Sequence, residues 1–183
     1  MGEDRKNLLS VAMIMKNEEN NLDRALGSIK PYVDEIIIVD TGSTDNSVEI
    51  AKKYTDKVFF HEWKDDFSEA RNYSLQFPTC EWVLIYDADE EVREDFVGIR
   101  EFLENLPEDV NTVYLPTISY LDWDLKKMEV ASTARVFRNG TVHYENIVHN
   151  QAIYKGKVVE APFRIYHYGY IWTRELKKKK YDR

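Results

Sequence analysis

Two aspartates, Asp87 and Asp89, follow directly after an apolar segment at residues 82–86. In an extended chain, residues two apart point to the same side, so both carboxylates would project together from the end of a strand. Open α/β sheets bind their ligands at such strand ends. Carboxylate oxygens suit Mg²⁺ or Mn²⁺ and, through the metal, a diphosphate. The pair therefore indicates chemistry on a nucleotide or a nucleotide-sugar.

The spacing of this pair is weak evidence by itself, because the chain has 33 acidic residues among 183. A second pair with the same spacing, Asp122 and Asp124, shows how readily such pairs arise. The alternative interpretation of Asp87 and Asp89 is a solvated turn after a strand. The other strand ends must therefore decide between a metal site and a turn.

Polar side chains also follow the apolar segments that precede this pair. They are Lys16, Asn17, Glu18 and Glu19 after the first segment, residues 40–45 after the second, and Arg71 and Asn72 beyond the third. Because the carboxyl ends of parallel strands meet at one edge of a sheet, these residues could line one pocket.

Three of these residues suit a nucleotide. Asp40 can accept hydrogen bonds from a base or ribose, Gly42 lets the backbone come close to a ligand, and Arg71 presents a planar fork of donors to a diphosphate. Taken singly, each residue has a simpler interpretation, such as a helix cap for Ser43 or Asp45 and a surface ion pair for Arg71. Their placement at successive strand ends favours the pocket.

Apolar periodicity predicts alternating strands and helices up to Pro107. The predicted strands are residues 8–15, 35–39, 57–60 and 82–86, and the predicted helices are residues 19–30, 45–54, 67–75 and 94–106. This order calls for right-handed crossovers and a mainly parallel sheet. Beyond Pro107 the pattern changes to strands at residues 113–120, 128–137, 141–144 and 151–154. Arg138, Asn139 and Gly140 predict a hairpin turn between two of them.

These elements predict one α/β domain over residues 1–183, since a chain of this length is ordinarily a single domain. Residues 8–106 form its nucleotide-sugar-binding half, residues 107–170 form a β-rich acceptor half, and residues 171–183 form a polar tail or helix that ends abruptly.

Composition excludes several classes of protein. A net charge of −8 argues against a nucleic-acid binder. No apolar run reaches the roughly 18 residues that a membrane span needs. The lone Cys80 excludes an internal disulfide and is consistent with a reducing compartment, so we expect a cytoplasmic protein. The basic run at residues 177–180 predicts a solvated helix or tail, with weak membrane-surface or phosphate contact as the alternative.

Four segments of the chain resemble the motifs of family 2 glycosyltransferases of the GT-A fold. They are residues 13–22, 34–45, 63–72 and 87–91. Residues 134–140 resemble a later signature of one branch, which includes lipopolysaccharide-core glucosyltransferases, peptide S-glycosyltransferases and proteins with tetratricopeptide repeats. The resemblance implies a Rossmann-like, mainly parallel sheet with helices on both faces. It also implies a hexosyltransferase that uses a UDP-sugar with Mn²⁺ or Mg²⁺.

The resemblance assigns expected roles to individual residues. Those implied to contact the donor are Lys16, Asn17, Glu18, Asp40, Thr41, Gly42, Ser43, Arg71, Asp87 and Ala88. Asp87 and Asp89 match the family's Asp-x-Asp motif, with Asp89 the more direct metal ligand. His167 matches a late histidine that completes the metal site; its alternative interpretation is a buried or stacking histidine.

One position departs from the branch, whose members usually carry His-Glu where this chain has His149 and Asn150. An acid near that point is the usual general base, and asparagine cannot accept the proton. Glu145, Asp122 or Asp124 could supply the missing acid. The candidate catalytic residues are Glu145, His149 and Asn150. The acceptor could also need no strong base, as with a thiolate or a phosphate, or the chain could be an impaired catalyst.

These observations predict a metal-dependent, inverting glycosyltransferase that moves a sugar from a UDP-sugar to an unidentified glycan, lipid or peptide. One alternative is a catalytically impaired module that only binds nucleotide-sugars. Another is a sugar-phosphate nucleotidyltransferase, against which the loop at residues 16–21 counts because it has no glycine.

Overall fold

The computed structural model describes residues 7–122, 124–147 and 150–171. His149 and residues 172–183 of the predicted tail lie outside these ranges. The first part of the fold contains four strands: β1 (Leu9–Met15), β2 (Glu35–Asp40), β3 (Val58–Phe60) and β4 (Trp82–Ile85). All four are parallel, in the order β3-β2-β1-β4. The helices between them are α1 (Leu22–Ile29), α2 (Ser47–Ala51) and α3 (Phe67–Ser74).

Both faces of these strands are buried, as a parallel sheet between two layers requires. Val11 and Met13 of β1 pack in the larger core with the apolar face of α1, whereas Ala12 between them packs in a second core on the opposite face. This alternation follows from the strand period of two residues. α3 contacts β1 and β2, and Leu75 after its end packs against the second core.

The second part of the chain extends the same sheet. Its elements are β5 (Glu90–Glu91), α4 (Ile99–Glu104), β6 (Val110–Tyr120), β7 (Met128–Arg138), β8 (Val142–Glu145), β9 (Gln151–Tyr154), β10 (Lys157–Glu160) and β11 (Ile165–His167). β7 pairs antiparallel with both β4 and β6, β11 and β10 pair parallel with β6, and β5 pairs antiparallel with β11. β8 and β9 form a separate antiparallel pair. In the described residues, no helix is long and apolar enough to cross a membrane.

The predicted α/β fold with parallel pairing of the first strands is confirmed, and three details are corrected. The helix predicted at residues 94–106 is interrupted at Gly98, whose φ of +93° gives a 3₁₀ turn (Glu94–Phe96) followed by α4. The turn at Asn139 and Gly140 exists, but it joins no hairpin, because β7 and β8 belong to different sheets. The short strands β5, β10 and β11 were not predicted.

Candidate active site

The carboxyl ends of β1, β2 and β4 meet at one edge of the sheet, where the chain leaves a cleft of about 640 Å³. We call it the first cleft. Most of the predicted site residues line it: Lys16, Glu18, Thr41, Arg71, Asp87, Ala88, Asp89, Asn150 and His167. Residues that sequence patterns placed on separate strand ends therefore share one cavity.

The loop after β2 lies behind this cleft. Asp40 is buried, and its carboxylate accepts hydrogen bonds from the backbone N–H groups of Gly42 (3.1 Å) and Ser43 (3.2 Å). Gly42 has a φ of +105°, which a residue with a side chain rarely adopts. The side chain of Asn17 accepts from the backbone N–H of Thr44 at 2.7 Å, and Ser43 Oγ accepts from that of Asn17 at 2.9 Å. Asp40 and Gly42 therefore shape the loop after β2, Asn17 and Ser43 connect that loop to the one after β1, and none of the four residues lines the first cleft.

Glu18 lies at the start of the helical region and faces the aspartate pair. Burial raises the pKa of Glu18, and the charges of Asp89 and Asp87 raise it further, while a hydrogen bond from Asn21 (2.9 Å) opposes the rise. Three carboxylates therefore crowd this side of the cleft. Acidic side chains that raise the pKa of a neighbouring carboxyl in this way favour a cation in the cleft.

Asp89 and His167 form the pair closest to a metal site. Asp89 Oδ2 lies 3.3 Å from His167 Nε2, and about a quarter of each side chain is exposed. Burial lowers the pKa of His167, but the hydrogen bond and charge of Asp89 outweigh burial and raise it. Gly169 packs against this pair. A Cβ added to Gly169 would lie 2.2 Å from Asp89 Oδ2 and 2.7 Å from His167 Nε2.

The donor set of this pair fits a divalent cation. One carboxylate oxygen and one imidazole nitrogen suit Mn²⁺, and Mg²⁺ commonly takes only one or two protein carboxylates, with phosphate oxygens and water completing its shell. Within the residues that the structure describes, no group of three or more His, Cys, Asp or Glu side chains is arranged to hold a metal ion. The protein would therefore supply two ligands, and the substrate the others.

Asp87 contacts two guanidinium groups. Arg71 on α3 hydrogen-bonds its Oδ1, and Arg135 Nη1 on β7 lies 3.6 Å from its Oδ2. Although burial raises the pKa of Asp87, Arg71 and then Arg135 lower it to about 2. Arg135 also pairs with the fully buried Glu90, whose pKa is raised to about 7 by burial against the opposing effect of Arg135. Asp87 is therefore held as an anion between two cations.

A second cleft of about 580 Å³ adjoins the first. Arg71, Asp87 and Asn150 line both clefts. The second cleft is also lined by Tyr114, Ser132, Thr133, Arg135, Tyr144, Gln151 and Tyr154. The two clefts therefore adjoin at these three residues, of which Asp87 follows β4.

The remaining catalytic candidates lie elsewhere. Glu145 on β8 is 60% exposed and pairs with His143 at 3.0 Å, and it lines neither cleft. Asp122 accepts hydrogen bonds from two backbone N–H groups in the β6–β7 turn, and the exposed Asp124 pairs with Lys126. Of the candidate catalytic residues that the structure describes, only Asn150 lies at the junction of the clefts.

Sequence reasoning gave no role to three residues at this site. Trp63 and Phe67 line the first cleft and contact each other edge to face at 4.8 Å between ring centroids. Both lie in the segment that carries Arg71. Two aromatic residues so close to a polar strand end are the sequence signal that could have identified them. Arg135 lies in the segment at residues 134–140 that resembles a later family signature, and nothing in its neighbours along the chain indicates its contact with Asp87.

Comparison with known proteins identifies the family. The family model described as glycosyl transferase family 2 matches residues 10–174. The SPbeta prophage-derived glycosyltransferase SunS of Bacillus subtilis is 30% identical over 173 residues, which are 88% of this chain and 40% of SunS. A TPR repeat-containing protein of Synechococcus elongatus is 41% identical over 97 residues, 52% of this chain and 24% of that protein. The chain thus spans less than half the length of these relatives.

Solved structures agree with the fold. S. aureus TarS 1–349 in complex with UDP-GlcNAc gives a TM-score of 0.64 at 14% identity, covering 88% of this chain and 58% of that one. Glucosyl-3-phosphoglycerate synthase from Mycobacterium tuberculosis, in complex with Mg²⁺ and UDP, gives 0.50 at 24% identity over 62% of this chain and 44% of that one. At these identities the likeness shows the fold alone, and it confirms the expected Rossmann-like architecture. With a family model that spans nearly all of its length, the chain belongs to glycosyl transferase family 2.

Proposed function

We propose that this chain is the catalytic domain of a metal-dependent, inverting glycosyltransferase that moves a sugar from a UDP-sugar to an acceptor. The observation that carries the proposal is the first cleft, which is lined by a carboxylate–imidazole pair and by Arg71, an arginine with two buried donors that have no partner among the described residues. TarS was solved with UDP-GlcNAc, which supports the choice of donor. The proposed metal dependence rests on the pair Asp89 and His167, and the proposed inversion rests on the second cleft beside the first.

Arg71 is the residue best suited to the diphosphate. Its Nε and Nη1 atoms are buried and have no hydrogen-bond partner among the described residues, although Nη2 contacts Asp87. Buried donors without partners are costly, so they favour a ligand that brings acceptor oxygens. The planar fork of arginine matches phosphate geometry. We assign Arg71 to the phosphate groups of the donor.

Asp89 and His167 would hold the cation. When bound, a divalent ion there neutralises the charge that develops on the departing diphosphate. Glu18 and Asp87 add negative charge near it, and Asp87 at the same time fixes Arg71. The chain's own contribution is therefore a preorganised set of charges around the leaving group.

The second cleft would receive the acceptor. It adjoins the first cleft at Arg71, Asp87 and Asn150. We propose that a nucleophile held in the second cleft attacks the anomeric carbon from the side opposite the diphosphate. Attack from that side inverts the anomeric configuration. Holding both reactants at this junction converts a bimolecular encounter into an oriented one.

Thermal unfolding with nucleotides tests the proposal. UDP or UDP-GlcNAc should raise the melting temperature clearly with Mn²⁺ and only weakly with EDTA, because a ligand that binds the folded state alone stabilises it, by about 2.7 kcal/mol at a hundredfold excess over Kd. ADP and GDP serve as matched controls. Equal stabilisation in EDTA, or a preference for a purine nucleotide, would contradict the assignment.

A non-catalytic nucleotide-sugar-binding module is the second candidate, and Asn150 is the observation that favours it. This residue lies at the junction of the clefts, and its amide cannot take a proton from an acceptor hydroxyl. A general base is typically worth about 10²–10⁴-fold in rate. Transfer to hydroxyl acceptors should therefore be slow in the unchanged protein, while slow release of UDP from a UDP-sugar persists.

Asn150→Glu distinguishes the two candidates, with Asn150→Gln as the uncharged control. In an enzyme, the new carboxylate should speed transfer to a suitable hydroxyl acceptor and add an acidic limb to the pH profile. A protein that binds UDP with Mn²⁺, yet releases no UDP from UDP-sugars with either residue, is a binding module. Loss of transfer in Glu145→Gln would instead identify Glu145 as the base.

A further inference from the structure

The buried cation Arg135 on β7 has no role in the chemistry proposed above. Its side chain is 14% exposed and lines the second cleft. Its guanidinium contacts Glu90, lies 3.6 Å from Asp87 Oδ2 and reaches Thr117 Oγ1 at 3.5 Å. The ion pair between Arg135 and the fully buried Glu90 is a costly arrangement for a strand, because both charges lose much of their hydration.

The backbone of β7 is irregular at this residue. Tyr114 of β6 pairs with Ala134, and the preceding Val113 pairs with Val136, so Arg135 is an extra residue without a partner on β6. Ala134 and Phe137, three residues apart, consequently pack on the same core, which regular alternation does not allow. β-bulges of this kind re-aim a side chain, and they are frequent beside active sites.

The bulge aims Arg135 at Asp87. Asp87 Oδ1 meets Arg71 and its Oδ2 meets Arg135, so both carboxylate oxygens are engaged by guanidinium groups. Glu90, the second partner of Arg135, also accepts a hydrogen bond from the backbone N–H of Asp87 at 2.9 Å. Arg135 therefore restrains Asp87 directly through its side chain and indirectly through Glu90.

We propose that Arg135 is a positioning residue for glycosyl transfer, which holds Asp87 and, through Asp87, sets the guanidinium of Arg71 toward the diphosphate. The inference rests on the proposed function. It predicts that Arg135 contributes to UDP binding without contacting UDP. Residues that orient the groups around a metal site typically contribute about 10–100-fold in affinity or activity.

Arg138 provides a matched control on the same strand. It is 20% exposed, pairs with Glu81 at 2.6 Å and lies over the ring of Trp82, remote from both clefts. Arg135→Gln breaks the ion pairs with Glu90 and Asp87, and Arg138→Gln breaks the ion pair with Glu81, so both variants should lower the free energy of unfolding. Titration calorimetry with UDP and MnCl₂, at a temperature where each variant is folded, should show a loss of about 10–100-fold for Arg135→Gln alone.

The double variant Glu90→Gln with Arg135→Gln separates positioning from folding. It removes both buried charges and should regain much of the stability, since a lone buried carboxylate is no longer present. UDP affinity should stay low, because Asp87 still lacks its second guanidinium. Arg135→Lys should likewise recover stability better than UDP affinity, since a single ammonium cannot span both carboxylates as the fork does.

Recovery of UDP affinity together with stability in the double variant would overturn the inference and leave Arg135 a structural residue. Equal UDP affinity in Arg135→Gln and Arg138→Gln would overturn it as well. Both results leave the proposed function intact, provided that the unchanged protein binds UDP with MnCl₂. Absence of that binding would overturn the proposed function and this inference together.

Discussion

Acidic side chains that are at least partly buried lie at both ends of the parallel strands, but those at the two ends differ in the partners they have. At the amino ends of β1 and β2, Glu35 is 6% exposed in its side chain and accepts hydrogen bonds from Ser10, Lys57 and the backbone and hydroxyl of Thr79. Burial raises the pKa of Glu35, but Lys57, Ser10 and Thr79 outweigh it and lower the value. This carboxylate has all the partners it needs within the fold.

At the carboxyl ends of the same strands, the partners are incomplete. Burial and the charges of Asp89 and Asp87 leave the pKa of Glu18 raised, and Arg71 keeps two buried N–H groups without acceptors in the described part of the chain. Perturbed charges of this kind cluster at functional sites. The comparison teaches that a complete set of partners distinguishes the structural carboxylate Glu35 from the carboxylates of the proposed binding site.

The largest expected effect is at the carboxyl ends of the strands. Asp89→Ala should abolish metal-dependent UDP binding, because it removes the carboxylate that pairs with His167. The free energy of unfolding should change little, since the side chain is a quarter exposed and holds no core residue in place. Titration of UDP with MnCl₂ and chemical denaturation measure the two quantities. Asp124→Ala is the control, and if it lost UDP binding while Asp89→Ala kept it, the metal pair would be misassigned.

Glu35→Gln should show the converse pattern. It leaves the buried donors around residue 35 with a weaker acceptor, and hydrogen bonds to charged groups are worth about 1.5–3 kcal/mol each, so we expect a loss of about 1–3 kcal/mol in the free energy of unfolding. The UDP affinity of the folded protein should not change. Denaturant titration gives the first quantity and calorimetry the second. A weakened UDP affinity in this variant would show that the two ends of the sheet are coupled.

A smaller effect is expected from Gly169→Ala, which crowds the proposed binding site without removing a charge. The new methyl group would collide with Asp89 Oδ2 and His167 Nε2, so these two groups must move apart. UDP affinity in the presence of MnCl₂ should fall roughly tenfold, at the lower limit for changes around metal ligands. Gly27→Ala in α1 adds the same methyl group beside only an ordinary contact with Tyr54, and it should leave the affinity unchanged.

The smallest effect concerns pH and sharpens the comparison at the amino ends of the strands. The folded-state pKa of Glu35 is below its ordinary value of 4.5, so its contribution to stability is complete above that pH and disappears as pH falls through the lowered value. The stability difference between the unchanged protein and Glu35→Gln should therefore be constant near neutral pH and shrink in acid. Denaturant titrations across this range measure it. A difference that grows in acid would contradict the lowered pKa.

The sequence predicted the parallel half of the fold well, because the strands of this half are continuous apolar runs that can be recognised from the local sequence. β5, β10 and β11 were missed because they are short and largely polar, and they form only by pairing with β6 or with each other. The prediction of a hairpin at Asn139 was wrong for a similar reason. Its side-chain amide donates to the carbonyls of Pro78 and Cys80, a tertiary contact that turns the chain away from β7.

The candidate site was predictable to the extent that strand ends must share an edge. That rule brought Glu18, Arg71 and Asp89 into one cleft. It could not separate Asp40, which binds its own loop, from residues that face the cavity. The rule also could not identify Arg135. The contact of Arg135 with Asp87 depends on a β-bulge, which shifts the strand register by one residue and cannot be recognised from the pattern of residue types.

The order of strands across the sheet also determines when the site can exist during folding. Asp89 follows β4, whereas His167 reaches it only after β11 has paired with β6 and β5 at the far side of the sheet. Contacts between such distant parts of a chain form late, since the entropy of closing the intervening loop must be lost first. A nascent chain on the ribosome could build the β1–β4 core before His167 has been synthesised. Such a chain would lack one of the two proposed cation ligands, so a nucleotide-sugar would meet a complete site only in a finished molecule.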